Sequence, residues 1–319
     1  MLHVMPGIRY LVTGGAGFIG SHLTEALVAR GERVRVVDNL ATGRTENLHA
    51  FTNKIEFIQG DLLDESVRQK ALAGVEVVFH LAALGSVPRS IESPETTHLA
   101  GAHATFLLLD AARKAGVRRL IHASSSSVYG DTVVLPKVET MPLAPRSPYA
   151  ASKAACEHYV RAFALVYALD TVALRYFNVF GPRQNPHSPY SAVIAKFCQA
   201  YAGCGEIHIH GDGAQSRDFT FVQNAVQANL LAADCPKGLE GQAINVACGE
   251  RHSLNEMVAL LNEISGQKKV AQHGPDRAGD VKHSLADLAR ARDLLGYRPV
   301  VDFKTGLART LEWYSKGQS

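Results

Sequence analysis

A tyrosine and a lysine stand four positions apart in Ser147-Pro148-Tyr149-Ala150-Ala151-Ser152-Lys153, and on a helix that spacing puts both on one face. A phenol is a weak base near neutral pH, but an adjacent ammonium favours the phenolate. Tyr149 and Lys153 could therefore move a proton on and off a hydroxyl group. Upstream, Ala123-Ser124-Ser125-Ser126-Ser127-Val128-Tyr129-Gly130 leaves an apolar run with hydroxyls that could line the same crevice. A polar loop would look the same, and Tyr-x-x-x-Lys arises by chance on many helices. The pair acquires meaning from the segments that must position it.

The first of these is Thr13-Gly14-Gly15-Ala16-Gly17-Phe18-Ile19-Gly20, which follows an apolar run and opens a helical pattern. Glycines there permit a tight turn and a close backbone approach to a pyrophosphate, and the helix N-terminus supplies free N–H groups and partial positive charge. Asp38 ends the second apolar run, where its carboxylate can accept from a ribose 2′-hydroxyl and would repel a 2′-phosphate. The expected cofactor is NAD rather than NADP. Gly14, Gly17, Phe18, Ile19, Gly20 and Asp38 are its candidate contacts. Asn39, Thr42, Gly43, Asp61, Leu62, Leu81, Ala82 and Ala83 join them, because each follows a strand at the carboxyl edge where open α/β sheets bind ligands. Lys153 could hold the cofactor ribose, and a nicotinamide cation would further favour the Tyr149 phenolate.

Short β-rich runs alternate with amphipathic stretches, the pattern of a parallel sheet covered by helices. Ile8–Thr13, Arg33–Val37, Ile55–Gln59, Val75–His80, Arg119–Ala123 and Thr171–Leu174 read as strands buried on both faces. Helices are expected over Phe18–Arg30 and Thr97–Ala115, each ending at a glycine, and over Leu254–Ile264, Leu285–Leu295 and Phe303–Tyr314. The predicted fold is α/β, a doubly wound parallel (Rossmann) sheet with a smaller α/β substrate-binding lobe. The cofactor domain would take residues 1–176 with a returning stretch near 219–249, and the lobe 177–218 and 250–319.

Composition bounds the rest. A net charge of +3 over 319 residues carries little information, and no nucleic-acid partner is expected. The histidines show no metal-ligand spacing, so no metal is expected. The five cysteines form no C-x-x-C pair and read as free thiols of a reducing compartment. No apolar run reaches transmembrane length and no signal-peptide pattern opens the chain, which predicts a cytoplasmic protein without a membrane partner.

With these motifs in order, the chain resembles the extended short-chain dehydrogenase/reductases, the family of nucleotide-sugar epimerases, dehydratases and decarboxylases. The resemblance runs from the glycine turn to Gly279-Asp280-Val281. It implies that Tyr149 is the acid/base, Lys153 its partner and Ser125 the hydroxyl that bonds the reacting sugar oxygen. It also adds Phe177 to the cofactor contacts. Dehydratases of the family carry an Asp-Glu pair where this chain has Ser126 and Ser127, and neither serine can act as the acid or base that elimination needs. Uronate epimerases tend to place an arginine where Asn185 stands, although Arg183 is close by.

Arg175-Tyr176-Phe177-Asn178, Gly211-Asp212-Gly213 and Ser216-Arg217-Asp218-Phe219 are similar to the UDP-N-acetylhexosamine 4-epimerases of that family. Such a likeness implies a UDP-sugar substrate, with Gly85, Ser86, Ser126, Ser127, Asn178, Ala192 and Ser284 around the hexose, Asp280 beside it, and Arg217 and Arg277 on the diphosphate. UDP-glucose and UDP-glucuronate 4-epimerases remain alternatives, as does a binding protein without turnover. The family usually pairs through two helices per subunit, here those starting near Thr97 and Tyr149, which implies a homodimer.

Overall fold

The computed structural model describes residues 8–186, 193–203, 205–275 and 282–317. Its first elements are β1 Tyr10–Thr13, α1 Phe18–Ala29, β2 Val34–Asp38, β3 Ile55–Gln59, α2 Glu65–Leu72 and β4 Val77–His80. Then come α3 Val87–Glu92, α4 Pro94–His98, a π turn over Leu99–His103, α5 Ala104–Lys114, β5 Arg119–Ser125, α6 Pro148–Tyr167 and β6 Asp170–Tyr176. The chain continues through β7 Val179–Phe180, α7 Val193–Ala202, β8 Ile207–His210, β9 Ser216–Arg217, β10 Thr220–Phe221, α8 Val222–Asp234 and β11 Gln242–Val246. It ends with β12 His252–Ser253, α9 Leu254–Ser265, β13 Ala271–Gly274, α10 Ala289–Leu295 and α11 Phe303–Ser315.

Seven strands form the main sheet in the order β11-β6-β5-β4-β1-β2-β3. The pairings from β3 through β5 are parallel, and β1, β2 and β4 are buried at every position, as apolar strands covered by helices on both faces must be. The order reverses between β1 and β4. This is the topological switch point, where the carboxyl ends of neighbouring strands diverge and leave a crevice. Leu11, Val37, Val78, Leu108, Leu109 and Leu120 belong to one buried cluster of this part of the molecule.

The chain divides into two compact units. One comprises Met1–Val128, Pro145–Arg175 and Val226–Ile244; the other comprises Tyr129–Ala144, Tyr176–Ala225 and Asn245–Ser319. The second has three small sheets, β7 with β10, β9 with β12 and β8 with β13. Its helix α9 is fixed at both ends, by a reciprocal capping box between Ser253 and Glu256 and by left-handed Gly266. Phe180 packs against Phe219, Phe221 and Phe303 with ring centroids 5.4–6.4 Å apart, counting the Phe219–Phe303 contact.

Two helices depart from their predicted extents. The helix predicted over Thr97–Ala115 begins earlier, at Pro94, and passes to Lys114 through the π turn between α4 and α5, at a place where Gly101 and Ala102 press against Ser152. The helix expected from Leu285 starts only at Ala289. Before it the chain runs beside Lys137, whose N–H donates to Leu285 O at 2.7 Å while Asp287 N donates to Lys137 O at 2.9 Å. Tertiary backbone hydrogen bonds there replace the first helical turn.

Candidate active site

The glycine turn is shaped by what surrounds it. Gly14 has φ +67°, and a Cβ on it would lie 2.8 Å from the backbone of Ala82. A Cβ on Gly20 would lie 2.2 Å from Gly14 O, so only glycine lets the helix start this close to the turn. Gly17 caps α1 with no side-chain hydrogen bond, which leaves first-turn N–H groups for an anion. Asp38 receives Ala16 N at 3.0 Å and Leu40 N at 2.8 Å. Burial pushes its carboxyl above the usual carboxylate range, against those two N–H donors. A Cβ on Gly43 would come within 2.8–2.9 Å of the Asp38 oxygens. Asn39 Nδ2 donates to Asp61 Oδ2 at 2.8 Å, joining the loops after β2 and β3, with Leu62 buried behind them.

Leu81 and Ala82 are tied to β1: Leu81 N donates to Thr13 O at 3.2 Å, and Ala82 N to Thr13 Oγ1 at 3.2 Å. Phe18, Ile19 and Ala83 are half-buried and Thr42 is exposed. A cradle that a Cβ would fill, an uncapped helix start and a carboxylate at the end of β2 suit a dinucleotide with a free ribose 2′-hydroxyl. The residues present fit NAD.

The helix α6 carries Tyr149 and Lys153, the candidate acid/base pair. Ser147 caps it by accepting Ala150 N at 3.1 Å, with Pro148 in the first turn. Tyr149 is half-buried, and Lys153 is buried with Nζ donating to Ala123 O at 2.6 Å. One turn further on the same face, Glu157 receives Arg175 through two hydrogen bonds of 2.9 and 2.7 Å and Ser124 Oγ at 2.5 Å. A buried carboxylate held by a guanidinium fork and a hydroxyl fixes the rotation of α6 relative to β5 and β6. Ser125 lies at the end of β5, and its Oγ accepts Ser127 N at 3.2 Å. Ser126 is half-buried, and Ser127 Oγ is buried without a partner among the described residues. Ser86 caps α3 by accepting Arg89 N at 3.1 Å, and Gly85 before it is exposed.

In the second unit, Asn178 Nδ2 donates to Asp218 O at 3.0 Å and to Ser284 Oγ at 3.2 Å, and Asp218 N donates to Ser284 Oγ at 3.3 Å. Asn178 and Arg217 line a cleft of about 520 Å³ whose wall includes Phe197, Ile209 and Leu254. Arg217 Nη1 donates to Lys282 O at 2.7 Å. The Phe177 side chain is fully buried, 6.2 Å from the Tyr129 ring. Ala192, Arg277 and Asp280 lie outside the described residues, as does the Gly279-Asp280-Val281 motif.

Several residues here have no motif to announce them. Glu157 is one, and Lys196, Phe197 and His208 in the cleft are others. The strict alternation Ile207-His208-Ile209-His210 was the available signal, since β8 is buried and exposed in turn.

Asp218, of the Ser216-Arg217-Asp218-Phe219 motif, organises the unit around Asn178 and Ser284. It is fully buried, with Oδ1 accepting Cys248 N at 2.9 Å and Oδ2 accepting Gly249 N at 3.0 Å and Ala286 N at 3.2 Å. Burial pushes its carboxyl up to about 7, against those three N–H donors and with some help from the charge of Glu250. An acid raised in the folded state stabilises fully below its unfolded value of 3.8, and that contribution is lost as pH rises through about 7. The thermal midpoint should therefore fall from about pH 4 to about pH 7, and Asp218→Asn should flatten that slope while lowering the curve as a whole. Thermal unfolding of both proteins across this range checks it.

The chain matches the NAD dependent epimerase/dehydratase family over residues 10–247. It is 40% identical over 311 residues to a UDP-glucose 4-epimerase of Mycolicibacterium smegmatis, covering 96% of this chain and 98% of that one. Among solved structures, the UDP-N-acetylglucosamine 4-epimerase of Methanobrevibacter ruminantium in complex with UDP-N-acetylmuramic acid is 39% identical with a TM-score of 0.92, covering 98% of this chain and 99% of that one. The UDP-glucose 4-epimerase of Thermotoga maritima with UDP-glucose is 37% identical at the same TM-score, covering 98% and 100%. A family match over most of the chain, together with these relatives, shows that this chain belongs to the NAD dependent epimerase/dehydratase family.

Proposed function

We propose that this chain interconverts the C4 epimers of a UDP-hexose, with UDP-N-acetylglucosamine and UDP-N-acetylgalactosamine as its pair. The observation that carries the reaction is the anchored face of α6, where Tyr149 and Lys153 stand above the Glu157–Arg175 fork. Tyr149 takes the proton of the sugar 4-hydroxyl and returns it, and Ser125 orients that oxygen. Lys153 has one donor on Ala123 O, leaving others for the cofactor ribose and the phenol oxygen. NAD, when bound, supplies the hydride acceptor and donor at C4. If the keto sugar presents its other face before the hydride returns, the epimer forms without net redox change. Ser126 and Ser127 offer no group for elimination.

The polar pair of Asn178 and Ser284, bonded to each other at 3.2 Å, supports the acetamido sugar, since such a substituent needs hydrogen bonds as well as room. The Methanobrevibacter protein acts on UDP-N-acetylglucosamine and the other two are UDP-glucose 4-epimerases, so UDP-glucose is the second reading. In the cleft, Phe197, Ile209 and Leu254 give an apolar wall suited to the nucleobase, and Arg217 together with Arg277 would take the diphosphate. The remaining assigned residues keep the roles expected of them, Gly85, Ser86, Ala192 and Asp280 at the hexose and Phe177 beside the cofactor.

Pairing of two copies through α5 and α6 is supported by Phe106 and Tyr159, each 39% exposed with ring centroids 5.2 Å apart, and by exposed Leu165, Val166 and Tyr167. Four free cysteines among the described residues support a reducing compartment, the cytoplasm. None of the described helices is long and apolar enough to cross a membrane.

Incubation with UDP-glucose, UDP-N-acetylglucosamine and UDP-glucuronate in turn, followed by separation of C4 epimers, tests the reading. The expected result is epimer from the acetamido sugar, with no net accumulation of NADH. A 4-keto-6-deoxy sugar detected by mass would overturn it.

A further inference from the structure

His80 ends an otherwise apolar strand, Val77-Val78-Phe79-His80, and is fully buried between β1 and α5. A buried ring with two polar atoms is costly unless both are bonded, and here both are. Nδ1 is 2.8 Å from Thr13 Oγ1 and Nε2 is 2.9 Å from Thr105 Oγ1. Burial pushes the imidazole down to about 3, helped by the positive charge of Lys153, so the ring is neutral at physiological pH.

The neighbouring bonds decide which nitrogen carries the proton. Thr105 Oγ1 donates to Gly101 O at 2.7 Å, and Thr13 Oγ1 accepts Ala82 N at 3.2 Å. If Nε2 carries the proton, it donates to Thr105, and Thr13 donates to bare Nδ1; every proton has an acceptor. If Nδ1 carried it, the hydroxyl proton of fully buried Thr13 would have none among the described residues, at a cost of about 1–3 kcal/mol. The chain of bonds therefore has one polarity: Ala82 N–H to Thr13, Thr13 to His80, His80 to Thr105, Thr105 to Gly101. Beside Gly101, Ala102 N donates to Ser152 Oγ at 2.9 Å, and a Cβ on Gly101 would lie 2.3 Å from that oxygen. Ser152 directly precedes Lys153 on α6. His122, whose ring lies 5.4 Å from that of His80, has no hydrogen-bond partner among the described residues and cannot substitute in this chain.

We propose that His80 is a positioning residue for the reaction: a neutral, Nε2-protonated spacer that locks the turn of the cofactor site, Thr13-Gly14 and Leu81-Ala82, to the π turn that grips the catalytic helix at Ser152. The proposal rests on the reading of Tyr149 and Lys153 as the reactive pair. It explains why a histidine ends a strand that packing alone would fill with valine or leucine. It also gives the π turn a use, since that turn carries both Gly101 O and Ala102 N–H to their partners.

The test uses the NAD-loaded protein. With histidine labelled in ¹⁵N, long-range proton–nitrogen correlation should show the His80 ring, assigned by its loss in His80→Gln, as the Nε2–H tautomer, unmoved from about pH 6 to about pH 9. Epimer formation is then followed in a single turnover and expressed per NAD-loaded site, a rate that a smaller folded fraction does not alter. His80→Phe should lower it about 10-fold or more with KM for the sugar nucleotide little changed. His80→Gln, whose amide can accept from Thr13 and donate to Thr105, should restore most of it. A titrating or Nδ1-protonated ring in the wild-type protein overturns the proposal whether or not His80→Phe folds. A normal rate in His80→Phe beside an inactive Tyr149→Phe overturns this inference alone. A normal rate in Tyr149→Phe overturns the reading of the reactive pair and the inference with it.

Discussion

Tyr149→Phe is expected to bind NAD and sugar nucleotide while turning over about 10²-fold more slowly or worse, the usual scale for removing a general acid/base. The phenyl ring keeps the shape of the side chain in the first turn of α6, a turn fixed independently by the Ser147 cap and Pro148. Lys153 keeps its bond to Ala123 O, and Glu157 keeps Arg175 and Ser124. What disappears is the oxygen proposed to take and return the proton. The loss should therefore fall on kcat, with KM for the sugar nucleotide close to that of the wild type. Steady-state kinetics together with the NAD content of the purified variant check this. Turnover near the wild-type rate would mean that another group carries the proton, and the assignment of α6 as the reactive helix would fall.

The parts of this arrangement that could be read directly from the chain are those whose chemistry is local. Gly14, Gly17 and Gly20 sit within one turn, and Asp38 ends the next strand, so the spacing itself encodes the geometry. Tyr149 and Lys153 are related by a single helical turn. The supports of these groups are of a different kind. Glu157 is tied to Ser124, 33 residues before it, and to Arg175, 18 residues after it; no periodicity connects the three. His80 reads as the last residue of a buried strand, and its role depends on Thr13 and Thr105, which only strand order brings to it.

The same limit explains where the two helices differ from expectation. Propensity favours one continuous helix from Thr97, but Ser152 claims Ala102 N and the helix absorbs an extra residue in the π turn. Leu285–Leu288 suits a helix locally, yet the backbone of Lys137 offers hydrogen bonds that a helix start would forgo. Residues 129–144 fall in the second unit for related reasons: Tyr129 OH donates to Asn245 Oδ1 at 2.6 Å, and Asn245 N donates to Glu139 Oε1 at 2.8 Å. Each partner is more than a hundred positions away.

Ser284→Tyr is expected to suppress epimerisation of UDP-N-acetylglucosamine and UDP-N-acetylgalactosamine while UDP-glucose and UDP-galactose remain substrates. The resemblance to 4-epimerases motivates it, because those restricted to non-acetylated sugars carry tyrosine at the matching position. Size supplies the physical argument. To present its other face, the keto sugar must swing, and the group on C2 sweeps part of the pocket; a hydroxyl clears a bulky wall that an acetamido group meets.

Ser284 is 4% exposed and accepts two hydrogen bonds, from Asn178 Nδ2 and Asp218 N. A tyrosine therefore both adds a ring and removes an acceptor, and the second effect would weaken every substrate alike. Ser284→Ala separates the two, since it removes the acceptor without adding bulk. The ratio of kcat/KM for the acetamido pair to that for the plain pair should fall at least about 10-fold in Ser284→Tyr, within the range that steric discrimination supplies, and stay near the wild-type ratio in Ser284→Ala. Helix capping by Ser284 would not produce such a split, and the helix starts at Ala289 with Leu288 as its cap. If both sugar pairs fall by the same factor in Ser284→Tyr, Ser284 serves only to hold Asn178 and the Asp218 backbone, and the acetamido sugar loses its main structural support as the substrate.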